Sequence, residues 1–179
     1  MNNNIFHQTN KTIKLSKREE NNSNIIKKMY SNYKYILWTD EDIEKFIRTK
    51  FNKYYNFFKN LSKIQKIDIV RYLWMYYYGG VYSDMDVLYI KRIDYEKYNG
   101  VVFIEREWTS PLDNSIKISV HNCIMSSIPK HTIWLIIIDE IIKKYNNGIR
   151  NVFNLTGPNS ISEIITRLEL NKKFNNITI

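Results

Sequence analysis

Asp68-Ile69-Val70-Arg71-Tyr72, followed five residues later by Tyr78-Gly79-Gly80-Val81-Tyr82-Ser83-Asp84-Met85-Asp86, decides how this chain folds. The first block lies in a predicted helix, Lys63 to Tyr78, with Ser62 as its cap. Beyond Lys66 its side chains are apolar or aromatic on nearly every face, and such a helix belongs inside a core. Asp68 and Arg71 are the exceptions. Three positions apart, they share one helix face, and buried charges are costly unless paired or used. They are therefore either a structural ion pair or part of a site. Gly79 and Gly80 supply the positive φ that ends a helix and turns the chain. Val81 to Asp84 then reads as a strand, with Val87 to Ile90 a second extended piece beyond a tight turn. Two aspartates at i and i+2 on a strand project to one side of a sheet. Ligands of open α/β sheets bind beyond the carboxyl ends of the strands. Hard cations such as Mg²⁺ and Mn²⁺ take carboxylate oxygens and leave positions for substrate phosphates. An isolated Asp-x-Asp is usually a surface turn; its context sets this one apart.

Working outward, a short strand at Ile5-Phe6 runs into His7-Gln8, and a helix is expected over Lys17 to Tyr30. Tyr33 to Trp38 reads as a second strand. Thr39 is an N-cap with three acids in the first turn behind it, where the helix dipole favours them. That helix reaches about Lys50, with aromatic-rich helical material over Phe51 to Lys59. Val101 to Ile104 is a β-prone run, and Ile116 to Val120 is a weaker one. His131 to Tyr145 reads as helix and Thr156-Gly157-Pro158 as a turn. Ser160 and Glu163 form a capping box for a helix to Leu170. Helices alternating with short apolar strands predict an α/β layered domain. No repeat or linker divides residues 1–179, so a single domain is expected.

The 179 residues suffice for one sizeable core. A net charge of +9 favours anionic partners: nucleotide phosphates, nucleic acid or acidic membrane surfaces. The basic residues are dispersed and form no nucleic-acid module, so no nucleic acid is expected. Cys123 is the one cysteine, which rules out an internal disulfide and a cysteine-based zinc site. The N-terminus lacks signal-peptide features, and the apolar run Ile133 to Ile138 is too short to span a bilayer. A cytoplasmic location is the expectation. His121 and His131 have no metal-ligand spacing and are read as structural. Trp38 is read as core in preference to a base-stacking platform.

The central block resembles the sugar-binding region with the DxD motif of glycosyltransferase family 32, and is similar in layout to the catalytic domains of glucosylating bacterial toxins. The steps agree: three from Asp68 to Arg71, thirteen to Asp84, and two to Asp86. Ile5-Phe6-His7-Gln8 is similar to the family's first strand and nucleotide-side loop, and Tyr35 to Asp42 to the segment entering its second helix. Asn122 matches an asparagine near the donor site, and Thr156-Gly157-Pro158 a late turn.

This resemblance implies a GT-A type fold, with a small central sheet flanked by helices, that binds a UDP- or GDP-sugar with Mn²⁺ or Mg²⁺. It implies metal ligation by Asp86, with Asp84 on the ribose or acting through water. Asp68 and Arg71 would hold the donor sugar hydroxyls. His7, Gln8, Gly79, Gly80, Tyr82 and Asn122 would lie along the donor. The implied reaction is hexose transfer, with retention, to a glycan, glycoconjugate or protein acceptor. The family's tryptophan after His-Gln is absent, Thr9-Asn10 following instead. The family's C-terminal segment with His and Trp has no counterpart before Ile179. A domain in which that lid is missing or replaced is expected, with donor hydrolysis, weak activity or dependence on a partner domain as the alternatives. A catalytically weak or inactive nucleotide-sugar or glycan binder of the same fold is the alternative.

Overall fold

The structure, a computed structural model, describes residues 4–98, 100–109, 116–167 and 177–178. The chain opens with β1 (Ile5–Thr9), α1 (Lys17–Met29), β2 (Lys34–Trp38) and α2 (Asp40–Lys50). A 3₁₀ turn, Asn52–Tyr54, leads to the short α3 (Tyr55–Lys59), so the expected helical stretch is split. α4 (Lys63–Tyr77) and β3 (Gly80–Ser83) carry the central block. β4 (Val101–Thr109), β5 (Ile116–Ser127), α5 (Ile133–Asn146), α6 (Val152–Leu155), α7 (Pro158–Arg167) and β6 (Ile177–Thr178) follow. The strands form one mixed sheet in the order β2-β1-β3-β5-β4-β6.

β1 pairs in parallel with β2 on one side and with β3 on the other. The connection after β1 therefore returns on one side and the later crossover on the opposite side. The crevice beyond the carboxyl ends of β1 and β3 is a topological switch point, the usual ligand position in such sheets. β5 runs antiparallel between β3 and β4.

Alternation along the strands divides the core into two layers. Phe6, Val81 and Ile124 face α1 and a cluster of Tyr30, Tyr33, Tyr89 and Tyr95. Tyr82 and Met125 face the larger layer of α2, α4, α5 and α7. α4 is buried without interruption from Asp68 to Met75, because the helices pack on its outer face and the sheet on its inner one. Its start is fixed by a capping box in which Ser62 and Gln65 satisfy each other's backbone amides. Thr39 caps α2 in the same way, with Asp42 as partner.

Four expectations change. Val87 to Ile90 makes no strand; its backbone leaves the sheet after the turn at Met85 and Asp86. β3 stops at Ser83, so both aspartates lie beyond the strand rather than on it. Ile116 to Val120 is the first part of a twelve-residue strand that contains Asn122, which was expected after it. Ser160 is no cap: α7 starts at Pro158, and the Ser160 hydroxyl instead accepts from the Lys144 amine. The expected helix end at Leu170 lies outside the described residues.

Candidate active site

The centre of the site is Arg71, which α4 delivers to the switch point from within the core. Its Nη2 lies 3.3 Å from Asp68 Oδ1 and 3.3 Å from Asp84 Oδ1. Its Nη1 donates to the backbone oxygen of Asn122 at 2.8 Å, and its guanidinium sits over the Tyr82 ring. The Nε is buried with no partner. Burial works against the Arg71 charge, yet the Asp68 and Asp84 carboxylates beside it offset this and its pKa lies above the ordinary range.

Asp68 stands behind Arg71. One carboxylate oxygen accepts from Asn122 Nδ2 at 3.0 Å and the other from Thr156 Oγ1 at 2.7 Å. Burial raises its pKa, against the pull of Arg71 and Thr156. Tyr72 closes the cluster: its hydroxyl accepts from Asn122 at 2.7 Å and donates to the Thr156 carbonyl at 2.6 Å. Asp68 and Arg71 thus form the ion pair of the first reading, and Arg71 also reaches a cleft.

Asp84 marks the mouth. Its amide donates to Cys123 O at 2.8 Å, continuing the β3–β5 pairing for one residue. Its Oδ1 also accepts the Tyr82 hydroxyl at 2.6 Å. Burial raises the Tyr82 pKa well above the usual range, so it remains a phenol and a donor. Asp86 lies on the following turn, exposed, with no hydrogen-bond or ion-pair partner among the described residues. A cleft of about 390 Å³ opens there, walled by Ser16, Arg18 and Glu19 of the α1 start and by Ile67, Arg71, Asp84, Met85 and Asp86. Ser16 and Glu19 form a capping box that fixes the helix start at this wall. Asn22 anchors α1 to the turn by donating to Met85 O at 3.1 Å.

The donor set fits a hard divalent cation. Two carboxylates (Asp68, Asp84) meet one guanidinium, and Asp86 beside them is free to ligate. No group of three or more ligating side chains exists among the described residues. Such a cation would then draw its remaining ligands from phosphate oxygens and water, as Mg²⁺ commonly does.

Several residues expected along the donor act from behind the site instead. His7 is fully buried. Its Nδ1 accepts from Trp38 Nε1 at 3.0 Å and its Nε2 donates to Gly79 O at 2.9 Å, so no ring nitrogen is left for a ligand. Burial lowers its pKa to about 4, keeping it neutral. Gln8 is equally buried, accepting from the Tyr35 hydroxyl and donating to the Asp84 backbone oxygen, which positions the turn that carries Asp86. Gly79 and Gly80 do have positive φ, +65° and +88°. The close approach at Gly79 is to the chain itself, since a Cβ there would meet Pro129 N at 2.6 Å and Ser127 O at 2.7 Å. Both glycines sit at the far end of β3, roughly 15 Å from Asp84 at strand rise. Tyr82 and Asn122 are buried in the central cluster, bonded to Asp84 and to Asp68 and Tyr72 respectively. Trp38 is core, stacked on Trp74 at 4.9 Å. His131 is buried and accepts from the Ile133 amide.

The sequence reading missed Thr156 as a ligand of Asp68, and Ser16, Arg18 and Glu19 as the opposite wall. Ser16-x-x-Glu19 was legible as a capping box. Nothing local could have brought Thr156 to a residue 88 positions earlier.

An open α/β sheet with a carboxylate pair beyond its switch-point strand, backed by a buried Asp-Arg pair, defines the GT-A class of nucleotide-sugar-binding folds. The structure superposes on the PaToxG glycosyltransferase with a TM-score of 0.69 over 94% of this chain and 70% of that one, at 19% identity. Residues 16–103 match the family described as glycosyltransferase sugar-binding region containing DXD motif, and the chain belongs to that family. It is similar to inositol phosphoceramide mannosyltransferase 2 of Schizosaccharomyces pombe, with 31% identity over 88% of this chain and 44% of the relative. Mannosyl phosphorylinositol ceramide synthase SUR1 of Saccharomyces cerevisiae is 33% identical over 73% of this chain and 32% of its own length. An uncharacterized glycosyltransferase of Acanthamoeba polyphaga mimivirus is 26% identical over 82% and 57%. The chain spans less than half the length of the fungal relatives it matches. No described helix is long and apolar enough to cross a membrane.

Proposed function

We propose that this chain is the donor-binding domain of a metal-dependent glycosyltransferase that moves a hexose from a UDP- or GDP-sugar to a glycoconjugate, with retention at the anomeric carbon. The observation that carries this reading is Asp86, an unpartnered carboxylate beside Asp84 at the mouth of a cleft whose floor is a buried guanidinium. The relatives named for mannosyl transfer make mannose the first sugar to test.

In this reading Asp86 ligates Mn²⁺ or Mg²⁺ directly. Asp84, already holding Arg71 and the Tyr82 hydroxyl through one oxygen, acts through its other oxygen or through water. The cation, when bound, neutralises charge on the diphosphate leaving group. The protein's own work is positioning and fixed electrostatics. Arg71 presents its charge from the cleft floor to the donor sugar. Asp68, Asn122 and Thr156 stop it from turning away. Gln8 and the Cys123 carbonyl hold the Asp84 backbone, so the carboxylates need little rearrangement on binding.

Thermal shift against UDP- and GDP-sugars, with and without Mn²⁺, tests this. A donor at a hundred times its Kd stabilises by about 2.7 kcal/mol, and that gain is expected only with metal. Asp86→Asn, at an exposed residue without partners, is expected to keep the wild-type melting temperature and lose the gain. No stabilisation by any pair, or the same gain in Asp86→Asn, would sink the proposal. Donor binding without turnover over an acceptor panel would instead select the inactive binder.

A further inference from the structure

A second concavity, of about 240 Å³, lies beside the cleft on the far side of Ile67, which lines both. Two helices build it from matching positions. α2 contributes Asp40, Ile43 and Glu44, and α4 contributes Lys63, Lys66 and Ile67. Each set is spaced i, i+3, i+4 and so lies on one helix face. The two faces meet over Phe58 of α3. Phe58 and Ile43 are buried and Ile67 is half-buried beside them, which makes the floor apolar. None of the polar side chains around this pocket belongs to the Arg71 cluster.

The rim carries both signs of charge, and part of it is left open. Asp40 and Lys63 satisfy each other at 3.0 Å. Glu44 is held by one carboxylate oxygen: its Oε1 accepts from the Tyr55 hydroxyl at 2.7 Å and from Arg48 Nε at 2.9 Å. The Tyr55 hydrogen bond, with the Arg48 and Lys66 charges, holds the Glu44 pKa below its ordinary value, so the group is a carboxylate. Its Oε2 has no hydrogen-bond partner among the described residues. Lys66 lies over the floor, its Nζ 5.4 Å from the Phe58 ring centroid. That amine has no hydrogen-bond or ion-pair partner among the described residues. A donor and an acceptor with capacity to spare therefore stand over an apolar floor without closing on each other.

That combination narrows the occupant. Two carboxylates and two amines cancel, so the rim selects neither an anion nor a cation. An alkyl chain would strip water from Glu44 and Lys66 and return no hydrogen bond. A nucleobase needs an aromatic face to stack on, and the Phe58 ring lies fully buried beneath the floor. The volume falls below the roughly 300–1,000 Å³ of a site for a drug-sized ligand, which suits a single ring. A sugar ring meets each condition. Its C–H face covers the aliphatic floor, while neighbouring hydroxyls donate to Glu44 Oε2 and accept from Lys66 Nζ. We propose that this pocket binds one neutral pyranose unit of a glycan beside the donor cleft. The binding stands on the pocket alone; its use, as the seat of an acceptor sugar, rests on the transferase reading.

Ligand-observed NMR titration of the full chain tests it. The probes are the methyl α-pyranosides of mannose, glucose and galactose, with glucose 6-phosphate as the anionic comparison. At least one pyranoside is expected to bind, and more tightly than the phosphate ester. Glu44→Gln and Lys66→Met nearly keep side-chain length and should keep the wild-type circular dichroism. Each should weaken that pyranoside roughly tenfold, the loss of one hydrogen bond to a charged group. Lys28→Met, the same change at an exposed position of α1, should bind as wild type. Should one pocket variant lose its fold, the other decides. No binding of any pyranoside, tighter binding of the phosphate ester, or wild-type affinity in a folded pocket variant would overturn the proposal. The pyranoside signal should persist when Mn²⁺ and a stabilising nucleotide sugar are added; displacement would place the probe in the donor cleft and overturn it equally. Pyranoside binding without metal-dependent donor stabilisation would sink only the transferase reading, and donor stabilisation without pyranoside binding only this one.

Discussion

Two buried polar assemblies hang on the same pair of strands, β1 and β3, and they do opposite things. At the far end of β3, His7 is locked between Trp38 Nε1 and Gly79 O beside the stacked tryptophans. Its hydrogen bonds are all internal, and burial keeps it neutral. At the carboxyl end, Arg71 holds Asp68 and Asp84 together, keeps its charge, and leaves an Nε without a partner next to a cleft. The lesson is one of closure. A buried polar group whose valences are all filled from within serves the fold, and one that ends at a cleft with capacity to spare is where a ligand is to be sought.

The contrast can be broken most severely at Arg71. Arg71→Met strands the buried Asp68 carboxylate without its counter-charge, and about 3–5 kcal/mol of stability should be lost. Because burial already raises the Asp68 pKa, the loss should shrink as the pH falls and the carboxyl takes up a proton. Urea titrations at neutral and acid pH check both statements; a penalty independent of pH would show that Asp68 is already neutral.

His7 should respond in the opposite sense. Its pKa is near 4 when folded and near 6.5 when unfolded, so the unfolded chain binds the extra proton between those values. The His7 contribution is complete above pH 6.5 and falls away as the pH drops towards 4, by roughly 3 kcal/mol in all. His7→Gln, whose amide does not titrate, should flatten that acid limb in the same urea series. An unchanged limb would mean that His7 is not the group responsible.

The smallest effect belongs to the rim of the charged cluster. Thr156→Val removes one hydrogen bond to Asp68 but leaves Asn122 and Arg71 in place, so a loss of about 1–2 kcal/mol is expected. Differential scanning calorimetry would register it as a lowered melting temperature. A loss as large as that of Arg71→Met would show that Thr156, rather than the guanidinium, is the main support of the carboxylate.

The chain order of a buried helix, a glycine break, a short strand and two carboxylates was legible because each rests on a local rule. Apolar residues all round a helix demand burial, Gly79 and Gly80 permit positive φ, and Ser62 and Thr39 announce their helix starts. Asp68 and Arg71 could be named from their cost alone, since charges in a buried helix must be answered by something. What answers them was not legible. Asn122 and Thr156 arrive from β5 and from the turn after α6, brought by sheet order and helix packing that no local pattern encodes. His7 and Gln8 show the same limit from the other side. Their strand could be read, but which residue faces the cleft and which the core depends on how β1 pairs with β2 and β3. The sequence by itself determined the elements, the buried charges and the carboxylates at Asp84 and Asp86, because propensity, capping and desolvation act over a few residues. Only the tertiary structure decided which groups close on each other and which remain open to a ligand, because hydrogen-bond partners are assigned by contacts across the whole chain.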